Sequence, residues 1–264
     1  MVGTYQEFLQ SKFIRSQPMG FEPTTLNPRM KPFQSDCATW ACRRGRAELW
    51  EECGLGKTLQ YLEVGRQCGR KTNKPVLALV PLAVARQTER EAAKFEIDYP
   101  VKVIREQSEA VNGINIVNYQ RIHLIDPSQY ATVILDESQI LKNYTGKTKR
   151  LLVDSFRDTP YRFGASATPA PNDRMEIGNH SEFLGVMPSD EMLARWFIND
   201  TMRAGGYVLR PYAAEDFWRW CASWAVCIGK PSDIGHDDAG YDIPPLEIVE
   251  HIIESTEAPK GHLF

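Results

Sequence analysis

Gly54-Leu55-Gly56-Lys57-Thr58 is the stretch of this chain whose residue types are best suited to holding phosphate. Two glycines let a backbone curl until several N–H groups point at the same set of oxygens. A helix starting near Lys57 adds the positive end of its dipole. Lys57 would then set an ammonium on the β- and γ-phosphates, and Thr58 would give its hydroxyl to Mg²⁺. The general phosphate-loop pattern opens with a glycine where this chain has Glu51. A glycine-containing turn before an ordinary basic helix start is the plain alternative; the strand before the loop and the helix after it favour phosphate.

Asp136-Glu137 closes the apolar run Val133-Ile134-Leu135. In an open parallel sheet, ligands gather at the carboxyl ends of the strands, so Asp136 is expected on the same edge as the phosphate loop. Two roles need carboxylates there: one holds Mg²⁺, usually through water, and one orients an attacking water. Adjacent side chains at a strand end point to different sides, so the pair can divide these tasks. The alternative is a solvated Asp-Glu at a helix start, where acids suit the dipole.

These groups need a scaffold, and the apolar pattern supplies one. Ala47–Glu51, Val76–Val80, Val101–Ile104, Ile114–Asn118, Thr132–Asp136 and Tyr161–Ala165 read as strands. Several are apolar almost throughout, as strands covered on both faces should be. Helical stretches lie between them, including 57–70, 83–95 and 147–156. Strands alternating with helices imply right-handed βαβ units, so the fold class is α/β with a mostly parallel sheet flanked by helices. Beyond Pro171 the character changes. Phe217, Trp220, Cys221 and Trp224 share one helical face, which suits a packed helix better than a cofactor platform. The divisions expected are an N-terminal extension over 1–30, an α/β lobe carrying the phosphate loop over 31–175, a helical appendage and loop over 176–245, and the start of a linker over 246–264.

Composition excludes several other classes. The 264 residues are 42% hydrophobic and 25% charged, with a formal charge of −3, which describes a globular chain and not a disordered or collagen-like one. The mild acidity argues against a protein that coats polyanions, though a local basic groove fits it. The six cysteines form no C-x-x-C pair and read as reduced core thiols. No apolar run is long enough to span a membrane, and the N-terminus lacks a secretory signal, so a cytoplasmic, reducing location is expected. His236 among Asp233, Asp237 and Asp238 reads as a hydrated loop, not a metal site. Arg90, Lys94 and Lys149 read as a solvated helix face.

The ordered set of motifs resembles the first RecA-like lobe of the superfamily-two DEAD/DEAH-box helicases, in their Swi/Snf-like branch, from Phe33 to about Val249. Gly54 to Thr58 matches that branch's first motif, which also lacks the initial glycine. Pro32-Phe33-Gln34 resembles the segment in which a glutamine reads adenine. Leu79-Val80-Pro81-Leu82 with Gln87 resembles the motif that touches the nucleic-acid backbone, and Ile116-Val117-Asn118-Tyr119 the strand-end tyrosine segment. Asp136-Glu137-Ser138-Gln139, running into Lys142-Asn143, resembles the Asp-Glu-x-His box with the Lys-Asn that marks the branch. Ser166-Ala167-Thr168-Pro169, with Asn172, resembles the coupling motif. Tyr207 to Arg210 and Ile243 to Leu246 resemble the segments before a second lobe. Gln139 replaces the usual histidine, and Thr88 the usual tryptophan.

The resemblance implies a RecA-like P-loop NTPase lobe with a helical C-terminal appendage, using ATP and Mg²⁺. Gln34, Gly54, Leu55, Gly56, Lys57 and Thr58 would bind the nucleotide, with Thr58 and Asp136 on the metal. Glu137, Lys57 and Gln139 would be catalytic, Ser166 and Thr168 would couple, and Gln87, Tyr119 and Lys142 would face nucleic acid. The activity implied is ATP hydrolysis driving movement on duplex DNA, as in a helicase or translocase. The alternative is a non-catalytic, nucleotide-gated DNA-binding module of a larger assembly. A second RecA-like lobe, in cis or in trans, would supply arginine fingers. The expectation is therefore half of a motor, weakly active alone.

Overall fold

The computed structural model describes residues 15–200, 206–241 and 248–250. β1 (Arg46–Glu51), β2 (Val76–Val80), β3 (Val101–Val103), β4 (Ile114–Asn118), β5 (Thr132–Asp136) and β6 (Tyr161–Ser166) follow the expected apolar runs to within a residue at either end. Helices α1 (Pro32–Arg44), α2 (Lys57–Thr72), α3 (Ala85–Lys94) and α4 (Lys147–Ser155) lie among them. A C-terminal group follows: α5 (Ile177–Leu184), α6 (Ser189–Trp196), a β7–β8 hairpin (Phe197–Asn199 with Tyr207–Leu209), α7 (Ala214–Cys221) and β9 (Ala225–Ile228).

The main sheet is parallel throughout, in the order β3-β4-β2-β5-β6-β1-β9. Strand alternation divides its side chains between two cores. Leu77 and Leu79 of β2 face one cluster with Phe183, Trp196, Phe217 and Trp220; Val76, Ala78 and Val80 face another with Phe33, Leu59 and Leu62. Both faces are thus covered, which is why these strands carry so few polar residues.

β9 departs from the sequence expectation. It lies within 176–245, expected as helix and loop, yet it pairs in parallel with β1 from Glu48↔Ala225 to Glu51↔Ile228. Four residues, two of them partly exposed at the sheet edge, carry too little periodicity to announce a strand. The aromatic stripe packs as expected: Phe217, Trp220, Cys221 and Trp224 are all buried, although α7 ends at Cys221 and Trp224 enters the cluster from the following turn. Residues 15–30 run without helix or strand and dock on the end of α1, Met19 and Phe21 N–H groups donating to the Arg44 and Cys42 carbonyls at 3.0 and 2.9 Å. Ile243 to Leu246, and nearly all of the expected linker, lie outside the described residues.

Cys37, Cys42, Cys68 and Cys221 are buried free thiols, whereas Cys53 and Cys227 are exposed. His236 Nε2 donates to Asp36 Oδ2 at 2.8 Å, and no group of three or more His, Cys, Asp or Glu among the described residues could hold a metal. No helix among them is long and apolar enough to cross a membrane.

Candidate nucleotide site

The sheet order places the chemistry. β6 lies between β1 and β5, so Ser166 ends its strand between the phosphate loop and Asp136-Glu137. All three carboxyl ends meet at one edge, as an open parallel sheet requires.

Between β1 and α2 the chain turns through Gly54 and Gly56, at φ +88° and +82°. Only glycine takes that conformation without strain. Gly56 is the N-cap of α2 and offers no side chain to its free N–H groups, which leaves them for an anion. Lys57 Nζ donates to the carbonyls of Glu51 at 2.8 Å and Glu52 at 3.2 Å, holding the ammonium at the loop mouth. A cavity of about 400 Å³ opens there, lined by Gly54, Lys57, Thr58, Asp136 and Glu137 among others. This donor set fits a triphosphate with a hard divalent cation: amides and an ammonium for the anion, a hydroxyl and a carboxylate for the metal.

Glu51, where the general pattern has glycine, is the last residue of β1. An extended strand residue needs no positive φ, which explains why the departure is tolerated. Its carboxyl is buried and accepts from Gln60 Nε2 at 2.7 Å. Burial pushes its pKa up to about 7, against the opposing pull of that hydrogen bond and of Lys57. Leu55 turns its side chain into the core, leaving its backbone as the part that can meet a ligand.

Glu137 sits at φ +55°, a left-handed conformation for a non-glycine residue. The chain therefore turns sharply at Glu137, and Asp136 and Glu137 both line the cavity. Such strain in a carboxylate at a cavity mouth is characteristic of functional sites. Burial, with the charge of Glu137 beside it, raises the Asp136 pKa to about 7.

Gln139 joins two motifs. Its Nε2 donates to Glu137 Oε2 at 2.8 Å, and its Oε1 accepts from Ser166 Oγ at 2.6 Å. Ser166 Oγ also accepts from the Thr168 N–H at 3.0 Å, and Thr168 itself is exposed. Gln34 is buried; its Oε1 accepts from the Lys31 N–H at 2.9 Å and its Nε2 donates to the Leu55 carbonyl at 2.8 Å, fastening α1 to the phosphate loop.

The three residues expected to face nucleic acid separate. Lys142 is exposed. Gln87 lines the same cavity as Lys57, its Nε2 donating to Glu91 Oε1 at 3.1 Å, which puts it on the phosphate side. Tyr119 is buried and donates to the Asp136 carbonyl at 2.6 Å, so it braces the acidic turn from beneath. Thr88 is buried, its hydroxyl donating to the Val84 carbonyl at 3.1 Å. Lys149, expected on a solvated face, is buried and pairs with Glu182 at 2.7 Å, whereas Arg90 and Lys94 are exposed.

Sequence reasoning passed over Glu48, Asn179 and His180, buried polar side chains beneath the site that bond Ser138, the Leu141 carbonyl and the Pro169 carbonyl. The signal was available: a glutamate inside the apolar run Ala47–Trp50, and an Asn-His-Ser run inside a buried helix.

Fold and site together define a RecA-like helicase lobe with a phosphate loop. The chain belongs to the family described as "Type III restriction enzyme, res subunit", whose model matches residues 25–171. Curated relatives place it toward the Swi/Snf-like branch. It is 27% identical over 165 residues to the SWI/SNF-related matrix-associated actin-dependent regulator of chromatin subfamily A-like protein 1 homolog of Caenorhabditis elegans, covering 58% of this chain and 24% of that one. It is 27% identical over 168 residues to the DNA annealing helicase and endonuclease ZRANB3 of Bos taurus, covering 58% and 16%. Among solved structures, the Sulfolobus solfataricus SWI2/SNF2 ATPase core in complex with dsDNA superposes with a TM-score of 0.65 at 21% identity, over 83% of this chain and 48% of that one; this is a likeness of fold. The chain thus spans a quarter or less of these curated relatives and about half of the archaeal core.

Proposed function

We propose that this chain is the ATP-binding lobe of a DNA-dependent ATPase that moves along duplex DNA. The observation that carries this is the convergence of Lys57, Thr58, Asp136 and Glu137 on one cavity, with Gln139 joining Glu137 to Ser166. Mg²⁺, when bound with ATP, supplies charge neutralisation at the transferring phosphoryl group. The chain's own groups do the rest. Lys57 gives its ammonium to phosphate oxygens in place of the two carbonyls. Thr58 and Asp136 would hold the metal, and Glu137 would orient the attacking water and take its proton. Gln34 keeps one amide hydrogen and one carbonyl lone pair beyond its contacts within the chain, enough to read an adenine edge.

Ser166 and Thr168 couple the nucleotide to the DNA side, where Lys142 contacts phosphate without reading sequence. Support for duplex DNA comes from the relatives: one is titled a DNA annealing helicase, and the archaeal core is titled as bound to dsDNA. A second RecA-like lobe, in cis or in trans, completes the site with arginine groups, which are worth about 10³–10⁵ in rate in related phosphoryl transfer. The proposed lobe over 31–175 is completed by the elements of 176–245, β9 being an edge strand of its sheet.

The test is hydrolysis by the chain joined to such a lobe. Activity stimulated by duplex DNA and abolished by Glu137→Gln, with nucleotide binding retained, is expected. Nucleotide-independent DNA binding with no turnover would favour the non-catalytic module instead.

A further inference from the structure

Glu48 lies in mid-β1 with none of its surface exposed. Alternation turns it, like Trp50, away from Ala47 and Leu49 and toward the C-terminal helices. A carboxyl left there without partners would cost several kcal/mol. Three donors meet it: Ser138 Oγ at 2.8 Å and Trp50 Nε1 at 3.2 Å on Oε2, and His180 Nδ1 at 2.9 Å on Oε1. Gly164 on β6 stands in register with Glu48, and a Cβ there would overlap both carboxyl oxygens. The sheet is therefore built around this side chain.

The far ends of the network are specific. Ser138 lies between Glu137 and Gln139. His180 Nε2 is 2.8 Å from the Pro169 carbonyl, next to Thr168. A carbonyl only accepts, so His180 carries a hydrogen on Nε2. Burial opposes its charged form, but the Glu48 carboxyl outweighs this and holds its pKa above the usual range. Neighbouring Asn179 donates to the Leu141 and Lys142 carbonyls at 2.8 and 3.2 Å, and Glu176 accepts from Asn172 Nδ2 at 2.8 Å. α5 and the turn before it thus grip both the segment after Asp136-Glu137 and the loop after Ser166.

We propose that Glu48 and His180 are positioning residues that fasten the Asp136–Gln139 turn to the Ser166–Asn172 loop from beneath, a second link parallel to Gln139–Ser166, so that nucleotide bound at Lys57 changes the mobility of that loop. The proposal rests on the nucleotide-binding role given above. The two links differ in exposure to the cavity: Gln139 is partly exposed beside Glu137, whereas Glu48 and His180 are sealed in the core. A sealed hydrogen-bonded chain in low dielectric transmits displacement because no water can take up the slack.

Amide hydrogen exchange across Ser166–Asn172, with and without a non-hydrolysable ATP analogue and Mg²⁺, tests this in the full chain. The wild type, His180→Gln and Ser138→Ala are compared, with analogue affinity and melting temperature measured beside them. His180→Gln keeps a donor for Pro169 but loses the one for Glu48; Ser138→Ala removes a single hydroxyl and leaves the Glu48–His180 pair intact. Nucleotide-induced slowing in the wild type, lost in His180→Gln and weakened in Ser138→Ala at unchanged affinity, is expected. A merely structural pair would lower the melting temperature and leave the loop response intact, which overturns the proposal. An unresponsive loop in wild type that binds the analogue overturns it equally. If His180→Gln does not fold, Ser138→Ala decides by the same criterion. Failure of the wild type to bind at all overturns the nucleotide role itself, and this inference with it.

Discussion

Ser166 Oγ donates to Gln139 Oε1 across 2.6 Å, although the two residues belong to different strand ends. The other end of the Gln139 amide donates to Glu137. A glutamine can serve here because its amide offers a donor and an acceptor at opposite corners, as a neutral imidazole does. Gln139→Ala should therefore lower DNA-stimulated turnover by about 10–100-fold while leaving nucleotide affinity within a few-fold. Gln139→His should recover much of the loss. Steady-state kinetics beside nucleotide titration checks both, and a loss confined to affinity would contradict the bridging role.

Gly56 and Gly54 share a positive φ but not their surroundings. A Cβ at Gly56 would strike Gln34 Nε2, whereas a Cβ at Gly54 meets nothing within 4 Å. Both alanine variants carry backbone strain of about 1–2 kcal/mol. Gly56→Ala should in addition displace Gln34 and weaken nucleotide binding further than Gly54→Ala. Thermal melts with parallel titrations give the ordering.

Glu51 makes stability fall as pH rises. Its folded pKa of about 7 stands above its ordinary value of 4.5, so between them the folded state binds more protons than the unfolded one. The burial penalty is absent below pH 4.5 and fully felt above about 7, where the shift corresponds to roughly 3 kcal/mol. Glu51→Gln should thus stabilise the chain at pH 8 and gain little near pH 5. Denaturant unfolding at the two pH values would refute this if the gain were equal at both.

Trp224 lies past the end of α7 but is fully buried, its ring 5.2 Å from both Trp50 and Trp220. Trp224→Ala should cost about 3–5 kcal/mol by opening a cavity under β1. Unfolding in urea reads it directly.

What the sequence disclosed follows from what each element has to satisfy. β2, β4 and β5 were legible to the residue because strands buried on both faces are apolar almost throughout, Asn115 and Thr132 being the buried polar exceptions. The phosphate loop was legible because its chemistry is local: two glycines, a lysine and a threonine within five residues. α1 escaped notice because its buried stripe includes Cys37, Ala38, Ala41 and Cys42, residues too small to make a strong apolar pattern. β9 escaped because an edge strand of four residues shows almost no alternation. Tyr119 and Gln87 carry side chains suited to nucleic acid, and only the packing of β4 and α3 turns one beneath Asp136 and the other toward the phosphate cavity. Glu48 and His180 meet across 132 positions of sequence, a contact that exists only once the sheet has formed.

The central claim is that Lys57 and its loop hold a nucleotide. Titration of the chain with a fluorescent ATP analogue and Mg²⁺, beside Lys57→Ala, tests it most directly. Saturable binding by the wild type, weakened at least about tenfold in the variant, corresponds to the loss of roughly 1.4 kcal/mol or more expected for a phosphate-bound ammonium. Equal affinity in a folded Lys57→Ala chain, or no binding by a folded wild type even when a second lobe is present, would contradict it.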